Sequence, residues 1–179
     1  MIEIPTSGSP SLRSGNADVK LKMEGKCKVD VEDFEVVHAN KDCVEARGVV
    51  FNYSKDSRRV NYTVTWKVDL PEETKISINV KKWIKDGYKM PVMKFEKRYK
   101  QFLEMDMFGL QELFQEQTKP PLIWPLKKNV PYKTINWHFD GSLFPSGLPT
   151  GKWLSKQVLL LPNKTVLLDI SFYMTLQYI

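Results

Sequence analysis

A chain of 179 residues, 42% hydrophobic and 27% charged, is long enough to bury one sizeable core but not two. Its formal net charge of +6 favours acidic partners. However, Lys20, Lys22, Lys26 and Lys28, then Lys81, Lys82 and Lys85, then Lys127 and Lys128 are interspersed with acidic and apolar residues and read as a solvated surface. No stretch approaches the run of about 20 apolar residues that a spanning helix needs, so neither membrane crossing nor nucleic-acid binding is expected.

Residues 1–17 are rich in Ser, Gly and Pro and read as a disordered lead-in, with a single domain over 18–179. They lack the basic start, apolar centre and small-residue cleavage site of a secretory leader. Either a leader lies upstream of Met1 or the protein stays in the cytosol. Strands are expected from Val29 to Val37 and from Val44 to Phe51, paired as a hairpin around Ala39-Asn40-Lys41-Asp42. Val60, Tyr62, Val64, Trp66 and Val68 then alternate with Asn61, Thr63, Thr65 and Lys67, the period of a half-buried strand. After the turn at Leu70-Pro71-Glu72-Glu73, Ile76, Ile78 and Val80 alternate with Lys75, Ser77 and Asn79, which predicts a second hairpin.

Asp86-Gly87 marks a further turn, and Tyr88 to Phe95 reads as a strand that Pro91 confines to an edge or a bulge. From Lys97 to Gln117 the apolar residues Phe102, Met105, Leu110, Leu113 and Phe114 recur every three to five positions, predicting one amphipathic helix weakened by Gly109. Pro120, Pro121 and Pro125 stop it. Strands follow at Lys133 to Phe139 and Trp153 to Leu161, and a last hairpin turns at Pro162-Asn163-Lys164 into a long strand from Thr165 to Ile179. Every even-numbered residue of that strand from Val166 to Tyr178 is apolar. Strands in hairpin spacing with a single helix inserted mid-chain point to a mostly β protein, an antiparallel β-sandwich of immunoglobulin-like kind.

Catalytic and metal-binding patterns are missing. His38 and His138 lie in strand-like segments without metal-ligand spacing, and there is no Gly-x-Ser-x-Gly elbow, phosphate-cradling loop or desolvated carboxylate pair. A non-enzymatic protein without a cofactor is expected. Cys27 and Cys43 close a loop short enough for a disulfide worth about 3 kcal/mol. Asn52-Tyr53-Ser54, Asn61-Tyr62-Thr63 and Asn163-Lys164-Thr165 fit the N-glycan acceptor pattern, which argues for secretion unless it is coincidence in a Thr-rich chain. Five Trp, seven Met and nine Phe suit either dense packing or an apolar pocket between sheets. Leu122, Ile123 and Trp124, apolar yet held between prolines, suit a lid or an interaction loop.

The run NYTVTWKVDLPEETKISINVKKWIKDGYKMP, the segment YKQFLEMDMF, the segment LPTGKWLSKQVLLLPNK and the long closing strand together resemble the insect CheB chemosensory proteins. These fall in a wider group resembling ganglioside-activator, or ML-type, lipid-recognition proteins. Trp66, Trp83, Gly151, Lys152 and Trp153 are the positions that match that family's motifs. The resemblance implies a secreted, cup-shaped β-sandwich that holds a lipid or other hydrophobic small molecule in pheromone or cuticular-compound detection, with a membrane receptor or channel as a further partner. An apolar ligand held between the sheets would then meet Trp66, Ile78, Val80, Phe102, Met105, Ile170, Phe172 and Met174, chosen by strand parity and helix face. The alternative is an extracellular interaction module with a solid core, using the Leu122-Ile123-Trp124 loop.

Overall fold

Alternation of apolar and polar side chains dominates the structure, a computed structural model in which residues 25–179 are described. The expected lead-in over residues 1–17 lies outside them. Two antiparallel sheets face each other. The wider one is built from β1 (Cys27–Ala39), β4 (Lys75–Ile84), β5 (Gly87–Arg98), β8 (Gly151–Leu160) and β9 (Val166–Tyr178), ordered β1-β9-β8-β4-β5. The narrower has β2 (Val44–Ser54), β3 (Ser57–Trp66), β6 (Thr118–Lys119) and β7 (Pro131–Trp137), ordered β2-β3-β7-β6. The antiparallel β-sandwich read from the sequence is what forms.

The period-two pattern of β9 buries Ile170, Phe172, Met174 and Leu176 on its even side. This strand lies between β1 and β8, pairing Phe172 with Phe34 on one flank and with Ser155 on the other. On its odd side Leu167, Asp169 and Ser171 are buried as well, and Lys156 reaches Asp169 there at 3.1 Å. In β3, Val60, Val64 and Trp66 are buried as their alternation requires. Across the sandwich Phe34 meets Tyr62 at 5.3 Å between ring centroids, and Phe172 meets Trp137 at 5.5 Å. Gly48 on β2 permits this closure, because a Cβ there would overlap the Phe34 ring.

Two expected hairpins do not form. β1 pairs with β9 and β2 with β3, so the turn after Ala39 crosses from one sheet to the other. β3 pairs with β2 and β7, whereas β4 pairs with β5 and β8, so the Leu70-Pro71-Glu72-Glu73 connection also changes sheets. A short polar turn between two half-buried strands serves an arch between layers as well as a hairpin within one. The physical reason for the arch is that both strands turn apolar sides inward toward each other. Pro91 does lie on the edge strand β5, where the pairing with β4 shifts register.

The single helix expected over 97–117 is replaced by three short pieces. β5 continues through Arg98, α1 spans only Tyr99–Leu103, α2 only Leu110–Glu112, and a π-helical turn follows over Leu113–Gln117. α1 is already capped at Glu104, and Phe108 and Gly109 take left-handed conformations at φ 54° and 73°, which redirects the chain before α2 and keeps the pieces from joining into one helix. The apolar spacing instead lays this segment along the sheet, with Tyr99, Phe102, Leu103 and Phe114 buried.

The disulfide expected between Cys27 and Cys43 does not form either, and both are free thiols. Cys27 opens the 13-residue strand β1 and Cys43 follows its far end. At roughly 3.3 Å per residue that strand alone spans about 40 Å from Cys27 to Ala39, which keeps Cys43 far beyond the Cα separation of about 7 Å at most for a disulfide.

Candidate functional site: an apolar cavity under the overhanging sheet

The wider sheet extends past the narrower one, whose last strand, β6, has only two residues. The inner face of β4 and β5 is therefore covered by two segments of little regular structure, 99–117 and 138–150. Between sheet and covering segments lies a cavity of about 280 Å³. Ile78 and Val80 of β4, Val92 and Met93 of β5, and Trp153 and Met174 form its floor, and Met107, Phe108, Phe144 and Leu148 cover it. A smaller chamber of about 100 Å³ lies deeper between the sheets, with Tyr62, Phe114, Trp137, Leu168, Ile170 and Phe172 in its wall. Phe102, Leu110, Phe139 and Gln157 line both and form the waist between them.

The cover is held by contacts between its two segments. Phe108 stacks on Phe144 with centroids 4.8 Å apart and planes at 17°, a geometry worth about 0.5–1.5 kcal/mol beyond buried area. A Cβ on Gly109 would lie 2.6 Å from Leu143 Cδ1, so glycine serves both the left-handed turn and the close approach. Asp140 anchors the second segment by accepting from Ser142 N at 2.8 Å and Ser142 Oγ at 2.7 Å, which caps a 3₁₀ turn at Gly141–Leu143. These bonds hold the Asp140 carboxyl below the usual aspartate range. Below the waist, Thr118 Oγ1 donates to Leu113 O at 2.8 Å and lies 2.7 Å from Thr134 Oγ1, so Thr134 donates in that contact. The phenols of Tyr62 and Tyr99 are pushed well up by burial and stay neutral, and no Lys, Arg, Asp, Glu or His lines either chamber.

The structure divides the residues named from sequence. Ile78, Val80, Phe102 and Met174 line the larger chamber, and Phe102, Ile170 and Phe172 the smaller. Trp66 and Met105 line neither: Trp66 is buried edge-on to Tyr99 at 6.2 Å, and Met105 is half-buried against the core. The Leu122-Ile123-Trp124 loop is split, with Leu122 in the smaller chamber's wall, Trp124 half-buried and only Ile123 exposed, at 58%. Of the motif tryptophans, Trp153 is buried in the cavity wall while Trp83 is exposed on the β4–β5 hairpin against Tyr88. Gly151, at φ +117°, opens β8 in a conformation that favours glycine. Asn52 and Asn163 are exposed, whereas Asn61 Oδ1 accepts from Asn136 N at 2.9 Å. His38 and His138 are both exposed.

Sequence reasoning missed Ser155 and Gln157, the polar members of the larger chamber's wall. Their signal was parity: on β8, Trp153, Ser155, Gln157 and Leu159 share one face, and two of the four are large and apolar.

Fold and site together define an antiparallel β-sandwich with an uncharged, mostly apolar cavity beneath an overhanging sheet. No family model and no curated protein sequence matches the chain. Among solved structures it is similar to a Niemann-Pick type C2 protein from Japanese carpenter ant, at 12% identity and a TM-score of 0.38, over 78% of this chain and 96% of that one. A likeness at this level says nothing about ligand. Among the described residues no group of three or more His, Cys, Asp or Glu is placed to hold a metal ion, and no helix is long and apolar enough to cross a membrane.

Proposed function

We propose that this protein binds a lipid or other hydrophobic small molecule without chemical turnover. The supporting observation is the cavity of about 280 Å³, beside one of about 100 Å³ that shares four wall residues with it, both walled almost wholly by aliphatic and aromatic side chains. Together they reach the lower part of the ~300–1,000 Å³ range of small-molecule sites. Emptying so apolar a space of water and filling it with apolar atoms is favourable at roughly 25 cal/mol per Å² removed from water. Native mass spectrometry and solvent extraction of protein made in insect cells test this reading. A co-purifying apolar molecule, lost when Val80→Phe or Met174→Trp fills the larger chamber, supports it; a ligand-free protein that takes up no apolar probe refutes it.

The resemblance to CheB proteins carries the reading further, to a secreted carrier in insect chemical detection that delivers its ligand to a membrane receptor or channel. Secretion predicts glycans at Asn52, Asn61 or Asn163 on protein collected from insect-cell medium, read as an N-glycosidase-sensitive mobility shift. A second reading, a protein-interaction module, draws on the 58% exposure of Ile123 in the proline-bounded loop. Under it, Ile123→Ser or Trp124→Ser abolishes partner binding while apolar-ligand uptake persists.

A further inference from the structure

We propose that the cavity selects an uncharged amphiphile carrying one small oxygen function, an alcohol, aldehyde or ester on an aliphatic body, with that oxygen against Ser155 and Gln157. This rests on the hydrophobic-ligand reading above and names the class of molecule involved. Alternate residues of β8 point into the sandwich, so Trp153, Ser155, Gln157 and Leu159 face inward in a row. Ser155 is only 6% exposed and borders the larger chamber. Gln157 borders both chambers and sits at the waist.

Some other polar groups near the cavity are satisfied by the protein, the Tyr62 and Tyr99 phenols of the smaller chamber not among them. Trp153 Nε1 donates to Pro149 O at 3.0 Å, and Thr118 and Thr134 bond each other at 2.7 Å. Ser155 Oγ and the Gln157 amide make no such bond among the described residues. Ser155 is buried and Gln157 half-buried, polar groups out of bulk water favour a partner, and the free space of the cavity they border is where one fits.

The wall chemistry then excludes two neighbouring classes. A pure hydrocarbon would displace water from Ser155 and Gln157 without replacing its hydrogen bonds. A carboxylate or ammonium would bring a charge into chambers with no counter-charge, at a far greater desolvation cost. A hydroxyl or carbonyl meets neither obstacle, because an amide and a hydroxyl between them both donate and accept. Scaling from an apolar cavity of about 150 Å³ that accepts benzene, the larger chamber of about 280 Å³ suits a body of roughly ten heavy atoms.

The test is displacement of the fluorescent apolar probe 1-aminoanthracene by three size-matched molecules: undecane, decan-1-ol and decanoate. At neutral pH decan-1-ol is expected to bind about tenfold tighter than undecane, the yield of one well-made buried hydrogen bond, and decanoate to displace nothing. Decanoic acid should begin to compete as the pH falls toward the carboxylic acid range. Gln157→Leu should shrink the alcohol preference to about threefold or less, with Ser155→Ala acting in the same direction and carrying the test should Gln157→Leu fail to fold. Equal binding of undecane and decan-1-ol, tight decanoate binding at neutral pH, or an undiminished preference in the folded variants overturns the inference and leaves the hydrophobic-ligand reading standing. A folded protein that binds neither 1-aminoanthracene nor any of the three overturns both.

Discussion

Met174 and Leu176 sit two residues apart on β9, share its inward face and are almost equally buried, at 6% and 1% exposed. Met174 borders the larger chamber, whereas Leu176 borders neither. Truncating each to alanine therefore isolates the effect of the void. Leu and Met to Ala changes in cores cost about 2–5 kcal/mol, the spread reflecting how closely each site is packed. Leu176, closed in on every side, belongs in the upper half of that range, at about 4 kcal/mol. One flank of the Met174 thioether already lacks partner atoms, so dispersion contacts it never made cannot be lost, and about 2 kcal/mol is expected. Urea unfolding at neutral pH, with m-values checked for constancy, should separate the two variants by about 2 kcal/mol. If both cost about 4 kcal/mol, Met174 is packed in solution and the cavity argument falls with it. An apolar ligand supplies a second readout: it should raise the midpoint of the wild type and of Leu176→Ala by mass action.

Gly48→Ala forces the Phe34 ring out of its position between the sheets and should destabilise by about 1–3 kcal/mol as overpacking; Gly48→Ala with Phe34→Leu should recover part of that loss in the same urea assay. Asp140→Ala removes the cap of the 3₁₀ turn and should cost about 0.5 kcal/mol at neutral pH, the low end for an exposed cap. Because the native carboxyl is held below its usual value by Ser142, its contribution is fully present above the unfolded aspartate value, near 3.9. It fades as the pH falls through the lower native value, so the gap between wild type and Asp140→Ala should narrow below about pH 4. Cys27→Ser and Cys43→Ser should leave stability the same with and without reductant, and non-reducing electrophoresis of the monomer should show no mobility change. A reductant-dependent loss of about 3 kcal/mol would refute the placement of the two thiols at opposite ends of β1.

What the sequence disclosed was local and periodic. β3 and β9 were legible because each buries one face, and a period of two writes that face directly into the order of residues. Pairing was not legible, since Asn40–Asp42 and the Leu70-Pro71 turn read alike whether the chain folds back in one sheet or crosses to the other. The segment 97–117 misled because apolar residues every three to five positions suit any chain lying on a greasy surface, while the left-handed pair at Phe108 and Gly109 is a matter of backbone that Gly109 alone only hinted at. Within the candidate site, Ile78, Val80, Phe102 and Met174 followed from parity or helical spacing. Trp66 and Met105 failed because an inward side chain is not thereby beside a void, and where the void falls depends on how far one sheet overhangs the other. Ser155 and Gln157 went unread because polar residues on a strand are taken to face water, although their neighbours Trp153 and Leu159 share their side.

β9 has a consequence for how the molecule is made. Of the nine strands among the described residues it leaves the ribosome last, yet it lies inside the wider sheet between β1, the first of them, and β8. During synthesis β1 waits for a neighbour encoded about 140 positions downstream, since Phe34 pairs with Phe172, and its apolar side stays exposed meanwhile. Closing so long a loop is slow, and an unpaired strand edge invites association with other chains. Folding is therefore tied to the emergence of β9, and a chain ending before Val166 should be handed to chaperones or proteases, not accumulate as a partial sandwich.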